Sequence, residues 1–236
     1  ISSVIANDSS MIGNYTIIES PCPGPPNPCN SPYIAYQKYT YQITITLSAC
    51  SNWEIWTYEN ARNGGITTGP AGNLCVKATT DNTVYRSSSP VISTDAISFL
   101  YPGSTTCSSQ GATDPDGDQL SYALVQPSQG DGFDPNIYVT YTAPYSYLNP
   151  VGGTTSLDPN NGDLCLSPPN QLISVLAIQV TETRSGTVIG SVIRDMQVVV
   201  TANCLCVPPQ ANLPDTIEIC DTSITLTADP AFSYLW

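Results

Sequence analysis

Histidine is absent from all 236 residues. With it go the commonest general base, the Ser-His and Cys-His nucleophile pairs, and most transition-metal sites. The chain is therefore expected not to be an enzyme, and no cofactor is expected to be required. Basic residues are scarce: six Lys and Arg stand against nineteen Asp and Glu, for a formal charge of −13. The six, Lys38, Lys77, Arg62, Arg86, Arg184 and Arg194, are scattered, so no basic surface exists on which nucleic acid could displace its counterions. No apolar run approaches the roughly 20 residues that a membrane-spanning helix needs. None of the nine cysteines forms a CxxC pair, and none has a histidine nearby in sequence, which disfavours zinc.

What the chain does have is β-forming and turn-forming residues. Apolar residues make up 41%, enough for a core and too many for a disordered chain. Tyr39 to Leu47 alternates apolar and polar residues without a fault, the period of a half-buried strand. Further strands are expected at Trp53 to Tyr58, Leu74 to Thr79, Val91 to Leu100, Leu120 to Gln126 and Ile137 to Tyr141. The clearest unit runs from Leu172 to Val200, where two β-rich runs flank the turn Arg184-Ser185-Gly186-Thr187. Leu176, Ile178 and Val180 share one face of the first run, and Met196, Val198 and Val200 one face of the second, so a long antiparallel hairpin is expected. With 21 prolines to interrupt helices, the expected fold class is all-β, in tandem immunoglobulin-like β-sandwich domains of about 100 residues each.

Breaks in the pattern suggest boundaries. A first sandwich is expected over residues 1–101 and a second over 102–203. A Cys/Pro linker at 204–209 would be held extended by its prolines, and a third, truncated domain would open at 210–236. Ile1 to Ile5 lacks the basic and apolar regions of a signal peptide, and Phe232 to Trp236 reads as mid-strand, so an excerpt from a longer polypeptide is expected.

Cysteines in a chain rich in Thr, Ser, Tyr, Pro and Gly read as disulfides of an oxidising compartment. Cys22 and Cys29 would close a small Pro-rich loop, and Cys50 would pair with Cys75 and Cys107 with Cys165. Cys204, Cys206 and Cys220 remain.

Asp114-Pro115-Asp116-Gly117-Asp118 sets three carboxylates at alternate positions in a turn. Calcium takes six to eight oxygens, and Asp114, Asp116 and Asp118 could converge on one ion with further oxygens from elsewhere, such as the domain junction or Asp195. An ordinary Asp/Gly turn before a strand accounts for the same residues. The Asn-rich stretch Asp158 to Asp163 reads as a hairpin turn through Asn161-Gly162. Trp53 and Trp56 fall on opposite faces of a strand, so at least one belongs to a core. Trp56 and Tyr58 are the candidates for a binding surface, and Tyr138, Tyr141, Tyr145 and Tyr147 add aromatic area of the kind interfaces use.

Four segments in order carry a family resemblance: Ala49-Cys50-Ser51-Asn52-Trp53, Ala61 to Ile66, Gly111 to Tyr122, and Val188 to Val200. Together they resemble the very large gliding-motility-associated and adhesin-like surface proteins of Bacteroidota exported by the type IX secretion system. The resemblance covers most of residues 15 to 203. It implies Ig-like or cadherin-like tandem domains and secretion to the cell surface. It also implies a role in adhesion, motility or a surface appendage. The family commonly has two adjacent cysteines where this chain has Asn60-Ala61, a departure that supports a local Cys22 to Cys29 pair. The expected partners are neighbouring domains of the same chain, a homo-oligomer or filament, and a surface glycan or protein target. The competing reading, from Trp53, Trp56 and the tyrosines, is a carbohydrate-binding accessory module of a secreted multidomain hydrolase.

Overall fold

The computed structural model describes residues 44–62 and 64–201, together with three short strands at 2–5, 15–18 and 36–39. Fourteen strands and no helix occur among the described residues, so the chain is all-β as expected.

The centre is a large mixed sheet. Its strands are β1 (Ser2–Ile5), β4 (Trp53–Glu59), β5 (Leu74–Thr80), β14 (Thr187–Val200), β13 (Leu172–Arg184) and β10 (Gln119–Val125), in that spatial order. A seventh, β7 (Ile97–Leu100), also pairs with β14 and runs parallel to it. The long hairpin of β13 and β14 is present as the alternation predicts. Its two turn residues, Ser185 and Gly186, both have positive φ (52° and 80°), the conformation that lets a two-residue turn follow the twist of the strands. A bulge lies two residue pairs beyond the turn, where the register shifts between Glu182 and Thr183.

A three-stranded sheet of β11 (Thr154–Leu157), β12 (Asp163–Ser167) and β8 (Thr106–Ser109) completes the core. Leu164 and Leu166 of β12 are buried and cluster with Leu176, Ile178, Val180, Met196, Val198 and Val200 of the hairpin. Cys107 and Cys165 lie directly opposite each other on β8 and β12 and form the expected disulfide. Because Cys165 alternates with the buried leucines, the bridge sits on the outward side of the sheet. The turn between β11 and β12 is the one expected at Asn161-Gly162, with Gly162 at φ 76°. Two-stranded sheets join β2 (Tyr15–Ile18) to β3 (Tyr36–Tyr39), and β6 (Val91–Ile92) to β9 (Ala112–Thr113).

The division expected after residue 101 passes between hydrogen-bonded neighbours. β4, β5 and β7 from the first half share a sheet with β10, β13 and β14 from the second, and β6 pairs with β9 across the same point. Residues 34–202 fall in one compact unit. The expected linker at 204–209 and the domain opening at 210–236 lie outside the described residues, as do Cys22, Cys29, Cys204, Cys206 and Cys220.

Other differences are local. The strand expected at Tyr39 to Leu47 is not continuous: β3 ends at Tyr39, residues 40–43 lie outside the described residues, and 44–48 join no ladder. Val91 to Leu100 splits into β6 and β7, and Ile137 to Tyr141 forms only an isolated bridge, Ser128 to Tyr138.

Candidate functional site

Both faces of the hairpin are covered. On the face away from the leucine core, register places Trp56 and Tyr58 of β4 beside Lys77 and Cys75 of β5. Ile193 and Asp195 of β14, and Gln179 and Ala177 of β13, point the same way. The irregular segment 127–150 folds over this face, and its own Pro127, Val139 and Pro150 are fully buried.

Under that cover sits a charged pair. Arg62 donates from Nη1 and Nη2 to the two carboxylate oxygens of Asp195, at 2.5 and 2.7 Å, and a further bond runs from Nη2 to the Ser128 carbonyl at 2.6 Å. Both side chains are 4% exposed. Burial raises the Asp195 carboxyl above the usual carboxylate range, against the pull of the Arg62 guanidinium. Tyr141 donates to the Val175 carbonyl, and its phenol is pushed up by burial and by the Asp195 charge. The pair anchors the covering segment to β14.

Trp56, expected on a binding surface, is a core residue: it is 5% exposed and its indole nitrogen donates to the Asp131 carbonyl at 3.2 Å. Tyr58 is half-buried, its ring against Gly132. Of the two tryptophans it is Trp53 that keeps partial exposure, with its indole on the Ser48 carbonyl. Among the described residues the most exposed aromatic side chains are on the covering segment, Phe133 at 94% and Tyr138 at 47%.

The expected Cys50 to Cys75 bridge is not formed. Cys50 is level with Asn82: its N–H donates to Asn82 Oδ1, and its carbonyl accepts from the Asn82 N–H. Cys75 lies opposite Tyr58, seven residues further along β5. At about 3.3 Å per residue that is roughly 23 Å, far beyond the ~7 Å at which two Cα atoms can be bridged. Cys75 is instead a buried thiol whose ionisation is suppressed by that burial.

The acidic turn is assembled as its spacing suggests: Asp114, Asp116 and Asp118 each bring a carboxylate oxygen within 4.8 Å of the others. Asp118 is committed to Arg184, which donates from Nε and Nη2 to its two oxygens at 2.5 and 2.7 Å and stacks over Tyr85. That guanidinium, with the Ser87 hydroxyl, holds the Asp118 carboxyl below its ordinary range. Asp114 Oδ1 takes the backbone N–H groups of Asp116 and Asp118, while Asp114 Oδ2 is buried with no hydrogen-bond partner. Asp116 accepts from the Ser88 backbone N–H. A fourth carboxylate was not visible in the motif, and it is not Asp195, which is held by Arg62 beneath the covering segment. Glu182, on β13, is 3% exposed and accepts from Ser87 Oγ at 3.2 Å. Burial, reinforced by the three aspartates, raises its carboxyl above the ordinary range.

A cleft of about 360 Å³ opens on the covered face between β5, β10, β13, β14 and the 127–150 segment. Tyr138, Tyr147, Gln126, Asn136, Gln179 and Lys77 contribute to its walls, and Val125 and Ile193 are among the apolar residues lining it.

These elements define an all-β unit whose large and three-stranded sheets are joined by an apolar core, the three-stranded one being bridged by a disulfide. No family model matches the chain, and no curated protein matches it. A solved structure described as a nucleoside hydrolase-related hypothetical protein from Saccharophagus degradans, associated with carbohydrate metabolism, is similar at 18% identity with a TM-score of 0.29. The match covers 50% of this chain and 26% of that one, so this chain spans about a quarter of that protein's length.

Proposed function

We propose that this chain is a non-enzymatic structural and adhesive segment of a large extracellular surface protein or appendage. The observation that carries this reading is the Cys107–Cys165 bridge across neighbouring strands. A disulfide on the outward side of a sheet belongs in an oxidising compartment. The use made of the charges supports it. Arg62 and Asp195, Arg184 and Asp118, and Lys77 and Glu54 are matched in pairs that tie strands and loops together. None of them is arranged as an acid and base flanking a reacting bond. The packing of the large sheet on the three-stranded one fits the finer proposal of an Ig-like or cadherin-like sandwich. Neighbouring domains of the same chain, a filament of like copies and secretion to the cell surface belong to the same proposal.

Calcium enters the proposal through Asp114 and Asp116. The unpartnered Asp114 Oδ2 and the adjacent Glu182 suit a cation, while Asp118 is already matched by Arg184. Electron microscopy of the native full-length protein tests the main reading. An elongated particle or filament is expected, and a compact globular enzyme would overturn it.

A further inference from the structure

We propose that the cleft between Tyr138 and Tyr147 binds a neutral saccharide. Its size, about 360 Å³, falls at the lower end of the roughly 300–1,000 Å³ typical of small-molecule sites. That suits one or two sugar rings.

The chemistry of the walls selects the class. A pyranose presents apolar C–H faces and a rim of hydroxyls, each able to donate and to accept. Tyr138 and Tyr147 supply aromatic surface for the faces. Three amides supply the rim, and each is oriented by a hydrogen bond at one end. Gln126 donates from Nε2 to the Val139 carbonyl at 2.8 Å, and Gln179 donates from Nε2 to Ser191 Oγ at 3.2 Å. Asn136 accepts from Lys77 Nζ through Oδ1 at 3.1 Å. An amide fixed at one end has its other end set as well, so the two glutamines offer acceptors and the asparagine a donor. This mixture matches a polyol better than a purely acidic or purely basic ligand.

Charge points the same way. Lys77 is the cation of the cleft, and it is matched by Glu54 at 3.0 Å. An anion would have to displace that partner, whereas a neutral hydroxyl can share the ammonium. Cys75 also lines the cleft, but as a fully buried thiol it is a structural neighbour and not a nucleophile. The site is independent of the surface-protein reading, since a saccharide cleft would serve an adhesive segment and an accessory module of a hydrolase equally.

The test is calorimetric titration of the full 236-residue chain with glucose, galactose, mannose, N-acetylglucosamine and their β-linked disaccharides at millimolar concentration. Glucuronate and glucosamine serve as charged comparators. At least one neutral sugar is expected to bind. Tyr138→Ala alters an exposed position and should melt like the parent, whereas Gln126→Ala also loses the bond to the Val139 carbonyl and should melt slightly lower while staying folded. Each should weaken binding about tenfold, the equivalent of one hydrogen bond or stacking contact. Absence of binding across the panel overturns the proposal, as does binding that neither substitution changes. A charged comparator that binds more tightly than its neutral parent overturns the assignment of class. None of these results alters the particle shape seen by microscopy, so failure of the cleft and failure of the adhesive reading are separable.

Discussion

The two faces of the β13–β14 hairpin are buried by different means. On one, Leu176, Ile178, Val180, Met196 and Val198 meet Leu164 and Leu166 in an apolar layer. On the other, Val175, Ala177 and Val199 are equally buried, but they share the face with the Arg62–Asp195 pair and lie under a segment with no ladder of its own. The first face rests mainly on residues of suitable volume and alternation, although Arg194, paired with Ile178, is buried on it too and donates to the Asp95 carbonyl. The second depends on a few polar contacts, each of which must be made for the covering segment to stay in place. A substitution should therefore be tolerated gradually on the leucine face and abruptly on the charged one.

The largest effect is expected at Asp195. Replacing it with Ala leaves the Arg62 guanidinium buried and unmatched, which should cost about 3–5 kcal/mol in a denaturant melt. The double replacement Arg62→Met/Asp195→Leu should cost less than either single change, because it removes both charges. If the single change costs under about 1 kcal/mol, within the range of a surface pair, the contrast between the faces fails. Next comes the bridge of the smaller sheet. Reducing Cys107–Cys165, or replacing both residues with Ser, should cost about 2–4 kcal/mol in the chain-entropy model. It should loosen β8 and β12 in hydrogen exchange before the β13–β14 hairpin.

Calcium is expected to have a smaller effect. Saturation at 100 times the dissociation constant would add about 2.7 kcal/mol, visible as a rise in Tm that chelator reverses and Asp116→Ala abolishes. An unchanged Tm in both conditions would leave Arg184 as the counter-charge of the cluster.

The smallest effect concerns Glu182, at the border of the apolar face. A carboxyl raised in the folded state holds its proton more tightly there than in the unfolded chain. Its contribution to stability is therefore full below the ordinary glutamate value, about 4.3, and is lost as pH rises through the folded value. Asp118 behaves oppositely: its contribution is present above the ordinary aspartate value and is lost as pH falls through the lowered one. Glu182→Gln should thus raise the melting midpoint at neutral pH, with the gain shrinking below about pH 4. A gain that persists undiminished in acid would mean that packing, not charge, limits the site.

The hairpin and its turn were legible in the sequence because alternation and a Ser-Gly turn are local signals that tertiary packing then reinforced. The strands of the smaller sheet were not anticipated, although its Asn161-Gly162 turn and its Cys107–Cys165 bridge were. β8 reads Thr-Cys-Ser-Ser and is exposed throughout, so it carries no apolar period. The alternation of Leu164 and Leu166 in β12 was the available signal, over too few residues to stand out. At Tyr39 to Leu47 the reverse occurred. Alternate exposure does run through residues 44–48, but alternation specifies an extended backbone and cannot supply a ladder partner. Among the site residues, the three aspartates were found by spacing, whereas Glu182 and Asp195 joined their clusters through strand register that spacing cannot express. Trp56 was assigned to the surface because sequence could place it opposite Trp53 but could not say which face segment 127–150 would cover.

One strand holds much of this unit together. β14 pairs along nearly its whole length with β13, with β5 near one end and with β7 near the other. Because β7 runs parallel to the last residues of β14, tension applied at residue 201 along the strand axis loads those hydrogen bonds side by side, in shear. They cannot open one at a time as in an unzipping hairpin. The strand by which the described chain ends is thus also the one through which a pulling force would spread across the sheet.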